Sequence, residues 1–261
     1  MNKNWTEDLL ILAKTYPSPS SGYTETTCVA AINQQGVMRR IYPVPFRMLQ
    51  NTQHFKKWQW INARIEKAHN DHRSESHKIY IDTIIQKNEL STKNEWYERK
   101  SWISLIPESQ QPDTSLYLVK PKSIESLEIV PESSPDWTEE QKEKLTRAQS
   151  QMSLFNQEEN LQPDTMLRKI PHKFYYHYTI DTPDGETSQR HKIVDWEAGA
   201  LYWNCIKNHG ESWEEPFRKK MAEDLPSKDL MFLLGNIQRF RDQWLIISLI
   251  YPPVTIQQML L

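Results

Sequence analysis

Between Gln189 and Cys205 the chain reads QRHKIVDWEAGALYWNC, which sets His191, Asp195 and Glu197 within seven residues. Imidazole and carboxylate groups serve as general acids, general bases and metal ligands, so the trio raises a hydrolytic reading. The spacing argues against a shared site. QRHKIV has strand character, and an extended chain would hold the His191 and Asp195 Cα atoms roughly 13 Å apart. Asp195 and Glu197 stand two residues apart at a helix start, where they do not share a face. A structural role fits better. Asp195 stands where an N-cap belongs and Glu197 lies in the first turn, where the helix dipole favours an acid. Trp196, Ala200 and Trp203 would form the buried stripe. His191 is left as a half-exposed strand residue.

A second set lies in AHNDHRSESHKIY, where Asp71, His72 and Glu75 stand among His69, His77, Arg73 and Lys78. The spacing matches no metal-ligand motif, and a polar loop between two strands accounts for it. Asp71, His72, Glu75, His191, Asp195 and Glu197 are therefore the candidates for an enzymatic alternative, a nuclease or nucleotide hydrolase. The chain has no phosphate-binding glycine loop, no dinucleotide fingerprint, no C-x-x-C, no H-E-x-x-H and no G-x-S-x-G; each of those carries a specific mechanism. No metal and no cofactor is expected.

Two stretches suit binding instead. RRIYPVPFR brings Arg39, Arg40, Tyr42 and Arg47 together at a strand end stiffened by two prolines. Guanidinium groups hold phosphates and aromatic rings stack on bases. With Arg73 and Lys78 from the polar loop, these residues are the expected nucleic-acid contacts; a strand corner with solvated arginines is the competing account. The second stretch is QMSLF, Gln151 to Phe155. It resembles the peptide with which bacterial proteins bind the sliding clamp. Gln151, Leu154 and Phe155 would then be partner contacts, because such a segment docks apolar side chains in a groove. The alternative is that Leu154 and Phe155 pin a linker to the core.

Composition bounds these readings. The chain has 261 residues, 38% hydrophobic and 11% aromatic, with ten Trp and eleven Tyr, enough for a packed core. A formal net charge of −2 excludes a strongly basic coat but not a local basic patch. Two cysteines, Cys28 and Cys205, make no disulfide framework and suit a reducing cytosol. No stretch has the length of a membrane span, since WLIISLIYPPV is short and ends in prolines. A cytoplasmic protein without membrane contact is expected.

The elements that must position these residues follow from periodicity and punctuation. LLILAK, TTCVAAI and VMRRIY read as strands, with NQQG as a hairpin turn between the last two. A helix is expected over Phe46 to Lys57. WQWINARIEKA and HKIYIDTII alternate as strands do, STKNEWYERKSWISLI is helical, and SLYLVK and SLEIV add short strands. Residues 132–165 turn polar, acidic and Gln-rich, with one exposed helix starting at Thr138 as N-cap. KFYYHYTID is a strand by its aromatic and β-branched content. TPDGET turns it back, and a helix follows from Asp195 to about Asn208, with Gly210 as the residue beyond its end. A second helix near PFRKKMAED precedes two strands, LMFLLG and WLIISLIY. The expected class is α+β: a β-rich domain over 1–131, of the size of a PUA- or OB-like small barrel, a polar linker over 132–165, and an α+β domain over 166–261.

Taken together, ILAKTYPSPSSGYTETTC, RRIYPVPFR, DHRSESHKI, HKFYYHY, HKIVDWE and the LGN…WLIISLIYPP ending resemble an uncharacterised bacterial family of mobile-element and defence neighbourhoods. That resemblance implies a nucleic-acid context and assigns no residue a role. The expectation is a nucleic-acid-binding protein, DNA first, acting in bacterial defence or genome maintenance. The alternatives are the enzyme above and a non-catalytic adaptor within a larger complex, with a defence assembly or a sliding clamp as protein partner.

Overall fold

The computed structural model describes residues 4–19, 25–108, 114–155 and 167–254, with backbone alone for 148–155. In chain order the strands of the first part are β1 (Asn4–Lys14), β2 (Thr27–Asn33), β3 (Met38–Val44), β4 (Gln59–Lys67), β5 (Ser76–Ile79) and β6 (Ile85–Glu89). Helix α1 (Lys93–Ile103), strands β7 (Leu116–Val119) and β8 (Ser123–Pro131), and helix α2 (Glu139–Phe155) follow. Then come β9 (His172–Thr182), β10 (Gly185–Ile193), α3 (Trp196–His209), α4 (Glu214–Arg218), β11 (Met231–Asn236) and β12 (Trp244–Ile250). The chain is α+β, and it divides into two compact units, Met1–Glu89 with Pro131–Pro171, and Leu90–Val130 with His172–Leu261. No helix among the described residues is long and apolar enough to cross a membrane.

The first unit contains a closed five-strand barrel. Its strands run β1-β2-β3-β5-β4, and β4 returns to pair with β1 from Asn4↔Glu66 to Leu10↔Trp60. Closure pairs the edges of these five strands, and β6 adds an exposed strand beside β4. The run Leu9–Ala13, which reads as continuous apolar sequence, is buried on both sides. β3 and β5 are parallel, joined at Arg40↔Ser76 and Ile41↔His77. The helix expected over Phe46 to Lys57 is reduced to one 3-10 turn, Phe46–Met48. Its neighbours explain the difference. Phe46 faces Phe55 with ring centroids 4.9 Å apart, so a loop folds back on itself where a straight helix would separate the two. Helix α2 starts as expected: Thr138 accepts the Gln141 amide at 3.3 Å, while the Gln141 side chain accepts the Thr138 amide at 3.0 Å. This reciprocal capping satisfies two amides that a helix start leaves bare. Gln151, Leu154 and Phe155 lie in its helical backbone, and their side chains fall outside the described ones.

The second unit is a six-stranded sheet in the order β7-β11-β12-β10-β9-β8. β7 and β8 belong to this sheet, so a boundary at 131 does not separate the barrel from it. The β9–β10 hairpin turns at Gly185, whose φ of 117° lies in the region open chiefly to glycine. Its register runs from Gly185↔Thr182 to Ile193↔Phe174. The even-numbered residues Phe174, Tyr176 and Tyr178 are buried and face the helices: Phe174 meets Phe217 at 4.5 Å between centroids, and the Tyr176 hydroxyl donates to the Met221 carbonyl at 2.5 Å. α3 ends at Gly210, φ 56°. α4 runs into a π-helical turn, Lys219–Asp224, closed by the Leu225 amide on the Lys220 carbonyl at 3.0 Å.

Candidate functional site

Three of the four candidate groups fall among the described side chains, and the fold treats each differently. In the barrel the arginines are held by carboxylates. Arg39 on β3 donates twice to Glu7 on β1, at 2.8 and 2.9 Å. Arg47 pairs with buried Glu25 at 3.0 Å, and buried Arg73 grips Asp71 with its shortest contact at 2.6 Å. Arg40 is 4% exposed, with its guanidinium 3.5 Å from Cys28 Sγ. Lys78 is half-buried on β5 opposite Glu66. Tyr42 alone of the set is exposed, its hydroxyl accepting from Thr26 at 3.3 Å. A buried arginine needs a counter-charge or hydrogen-bond acceptors. Of the six expected contacts, Arg39, Arg47 and Arg73 are thus engaged in ion pairs within this unit.

Asp71, His72 and Glu75 do not converge either. His72 is exposed, and Glu75 is buried with Ser74 donating to it at 3.2 Å. Burial presses the Asp71 pKa upward, but the hydrogen bonds and charge of Arg73 outweigh it and bring it from 3.8 to about 2. A depressed carboxylate contributes stability above its unfolded pKa, lost as the pH falls through the folded value. At neutral pH the Asp71→Asn variant should unfold with about 2 kcal/mol less free energy, by 1.36 kcal/mol per pKa unit. The deficit should close between about pH 4 and pH 2, as urea unfolding across that range will report. A deficit that persists at pH 2 contradicts the pairing.

The opening trio is divided between two duties. His191 points to the inner face of β10, where its Nδ1 lies 2.9 Å from the Tyr178 hydroxyl; burial lowers its pKa. Asp195 is the N-cap of α3, accepting the Glu197 amide at 2.6 Å. Its other oxygen accepts the Leu249 amide of β12 at 2.7 Å. β10 pairs with β12 only as far as Ile193↔Ile246. The carboxylate thus takes up the strand amide that lies past the end of that ladder. This anchor also sets the rotation of α3: Ala198, Gly199, Tyr202 and Cys205 form its buried face, and the expected stripe of Trp196, Ala200 and Trp203 is only half-buried. Beside the anchor lies a cavity of ≈ 250 Å³, lined in part by Asp195, Glu197, Met221, Leu249 and Tyr251. Among the described residues no three His, Cys, Asp or Glu side chains come together as a metal site.

A surface missed in the sequence reading lies on the other face of β9 and β10. The odd-numbered residues of β9 point away from the helices, and the register puts Tyr175 opposite Lys192 and His177 opposite Arg190. Lys173 and Lys192 therefore share a face with Tyr175, His177 and Arg190. The Arg190 guanidinium lies 3.7 Å from the Tyr175 ring centroid. Glu128 of β8 accepts from His177 at 2.7 Å and from Arg190 at 2.8 Å. Those two hydrogen bonds bring the Glu128 pKa from 4.5 to about 2, so it is charged at any ordinary pH. Arg190 is 46% exposed and His177 33%. Splitting KFYYHY by a period of two, rather than reading its aromatic content as a whole, would have separated Lys173, Tyr175 and His177 from the buried tyrosines.

Residues 98–261 match the family described as Domain of unknown function (DUF8757), and residues 5–105 match Domain of unknown function (DUF8758). The two matches overlap over residues 98–105, at the end of α1. No curated protein matches the chain significantly.

Proposed function

We propose, for a chain that belongs to the DUF8757 family, that the β9–β10 face binds single-stranded nucleic acid. The observation that carries this reading is the arginine laid on Tyr175, with His177 beside it and Lys173 and Lys192 on the same face. Every base has a π-face, so an aromatic ring on a half-exposed strand pair can stack bases without regard to sequence. Cations flanking the ring neutralise the backbone phosphates. The strand pair holds both at fixed spacing, because residues of one face repeat along a strand every second position. A duplex offers no unstacked base to such a surface, so single strands are favoured.

The reading is one of binding. Both oxygens of Asp195 are engaged by backbone amides, and the His191 ring nitrogen faces a tyrosine.

Photocrosslinking tests the assignment. Oligonucleotides carrying 5-iodouracil, in DNA and RNA form, should crosslink to the β9–β10 hairpin, with Tyr175 as the principal adduct. Crosslinks confined to the corner around Tyr42 would return the site to the barrel. The absence of crosslinks, together with no binding to either oligonucleotide, would remove the reading altogether.

A further inference from the structure

The cavity beside Asp195 takes no part in the strand face described above. Its walls come from α3, from the π-helical turn and from the end of β12. Single π-turns are rare and occur frequently at functional sites. Here the turn contributes Met221 and Lys220 to the lining. A second departure from regular backbone lies close by. In α1, Asn94, Glu95 and Trp96 hold φ values of 51°, 53° and 67°, a left-handed stretch of three non-glycine residues. Such conformations are costly and persist where the surrounding structure imposes them. This one brings the Trp96 ring to 5.8 Å from the ring of Tyr251, a residue of the cavity wall.

The lining is apolar for the most part, through Leu201, Met221, Leu225 and Leu249, with a few polar groups among them. That mixture is the ordinary composition of a small-molecule site. At ≈ 250 Å³ the space is below the roughly 300–1,000 Å³ of sites for drug-sized ligands, so its occupant is small. The charges of the lining select the polar end of that occupant. Asp195 and Glu197 stand against the one cation Lys220, which lies 3.5 Å from Asp224. Burial and the charges of Glu197 and Asp195 push the Tyr251 hydroxyl up to about 12, which keeps it neutral and able to donate. Asp195 is buried in its two amide bonds, whereas Glu197 is exposed.

We propose that this cavity binds a small primary amine, its apolar body among Leu201, Met221, Leu225 and Leu249 and its ammonium group on the Glu197 carboxylate. A carboxylic acid of the same size meets the net negative charge of the lining, and an alcohol can donate to Glu197 but brings no positive charge to it.

Hexylamine, hexanol and hexanoate, titrated into the full chain and followed by calorimetry, test the proposal without nucleic acid. Hexylamine should bind saturably and about ten-fold more tightly than hexanol, because only the amine adds the attraction of a positive charge to its hydrogen bond with the carboxylate. Hexanoate should bind least. Glu197→Gln, a change at an exposed position, should erase the preference for the amine, so that hexylamine and hexanol bind alike. Ala200→Trp, placed in the cavity wall, should block both probes. Equal affinity for hexylamine and hexanol, a preference that survives Glu197→Gln, or no saturable binding of any probe would each overturn it. Loss of oligonucleotide crosslinking at Tyr175 would leave these outcomes unaffected.

Discussion

The Asp195→Ala variant is expected to lose about 3 kcal/mol or more of unfolding free energy, well beyond an ordinary capping residue. An exposed cap replaced by alanine costs typically about 1 kcal/mol. Asp195 is 3% exposed and accepts two amides, Glu197 in α3 at 2.6 Å and Leu249 in β12 at 2.7 Å. Alanine removes the acceptor of both bonds, and the buried bond to the strand amide adds about 1–3 kcal/mol to the cost of the lost cap. Asp195→Asn should also destabilise. Its amide offers one acceptor oxygen, so one of the two N–H groups then faces an NH₂. A cap that served α3 alone would tolerate asparagine, as the capping preference in the sequence suggests. Urea unfolding of the three proteins decides between them. A loss near 1 kcal/mol for alanine and none for asparagine would mean that the link to β12 contributes nothing.

The second large effect concerns the β9–β10 face. Tyr175→Ala should weaken single-stranded oligonucleotide binding by about 5- to 150-fold, equivalent to the ~1–3 kcal/mol by which a stacked base depends on its aromatic platform. Arg190→Ala should weaken it too, by loss of a phosphate contact. Glu128→Gln should act in the opposite direction. That carboxylate holds Arg190 and His177 and carries a negative charge onto the face. Removing the charge should tighten binding several-fold, since each like charge near the backbone opposes it. Fluorescence anisotropy with labelled oligonucleotides measures all three. A Glu128→Gln variant that binds more weakly would show that the Arg190 geometry, not its charge, governs the face. Unchanged affinity in Tyr175→Ala would exclude stacking there.

Much of the fold was legible because it rests on local signals. The alternation in WQWINARIEKA, the N-cap at Thr138, the turn at Gly185 and the stop at Gly210 are each decided within a few residues. What was not legible depends on closure and register. Nothing near Arg39 announces Glu7, since the two meet only when β1 lies in the closed barrel. The Phe46 to Lys57 segment has helical composition, yet contact between Phe46 and Phe55 decides its course. β7 and β8 precede the polar linker in sequence and nonetheless complete the second sheet. The candidate site shows the same division. Asp195 was recognisable as a cap, but its bond to Leu249 spans 54 positions. The pairing of His177 with Arg190 was beyond reach until the hairpin register was known.

The most direct measurement is the salt dependence of single-strand binding for the wild type and for Arg190→Ala. Phosphate contacts release condensed counterions, and log K falls with log salt at about −0.7 per contact on a single strand. The wild type should show a slope of about −2, from Lys173, Arg190 and Lys192 acting together, and Arg190→Ala should flatten it by about 0.7. A slope near zero, or one unchanged in Arg190→Ala, would contradict the assignment of this face to nucleic acid.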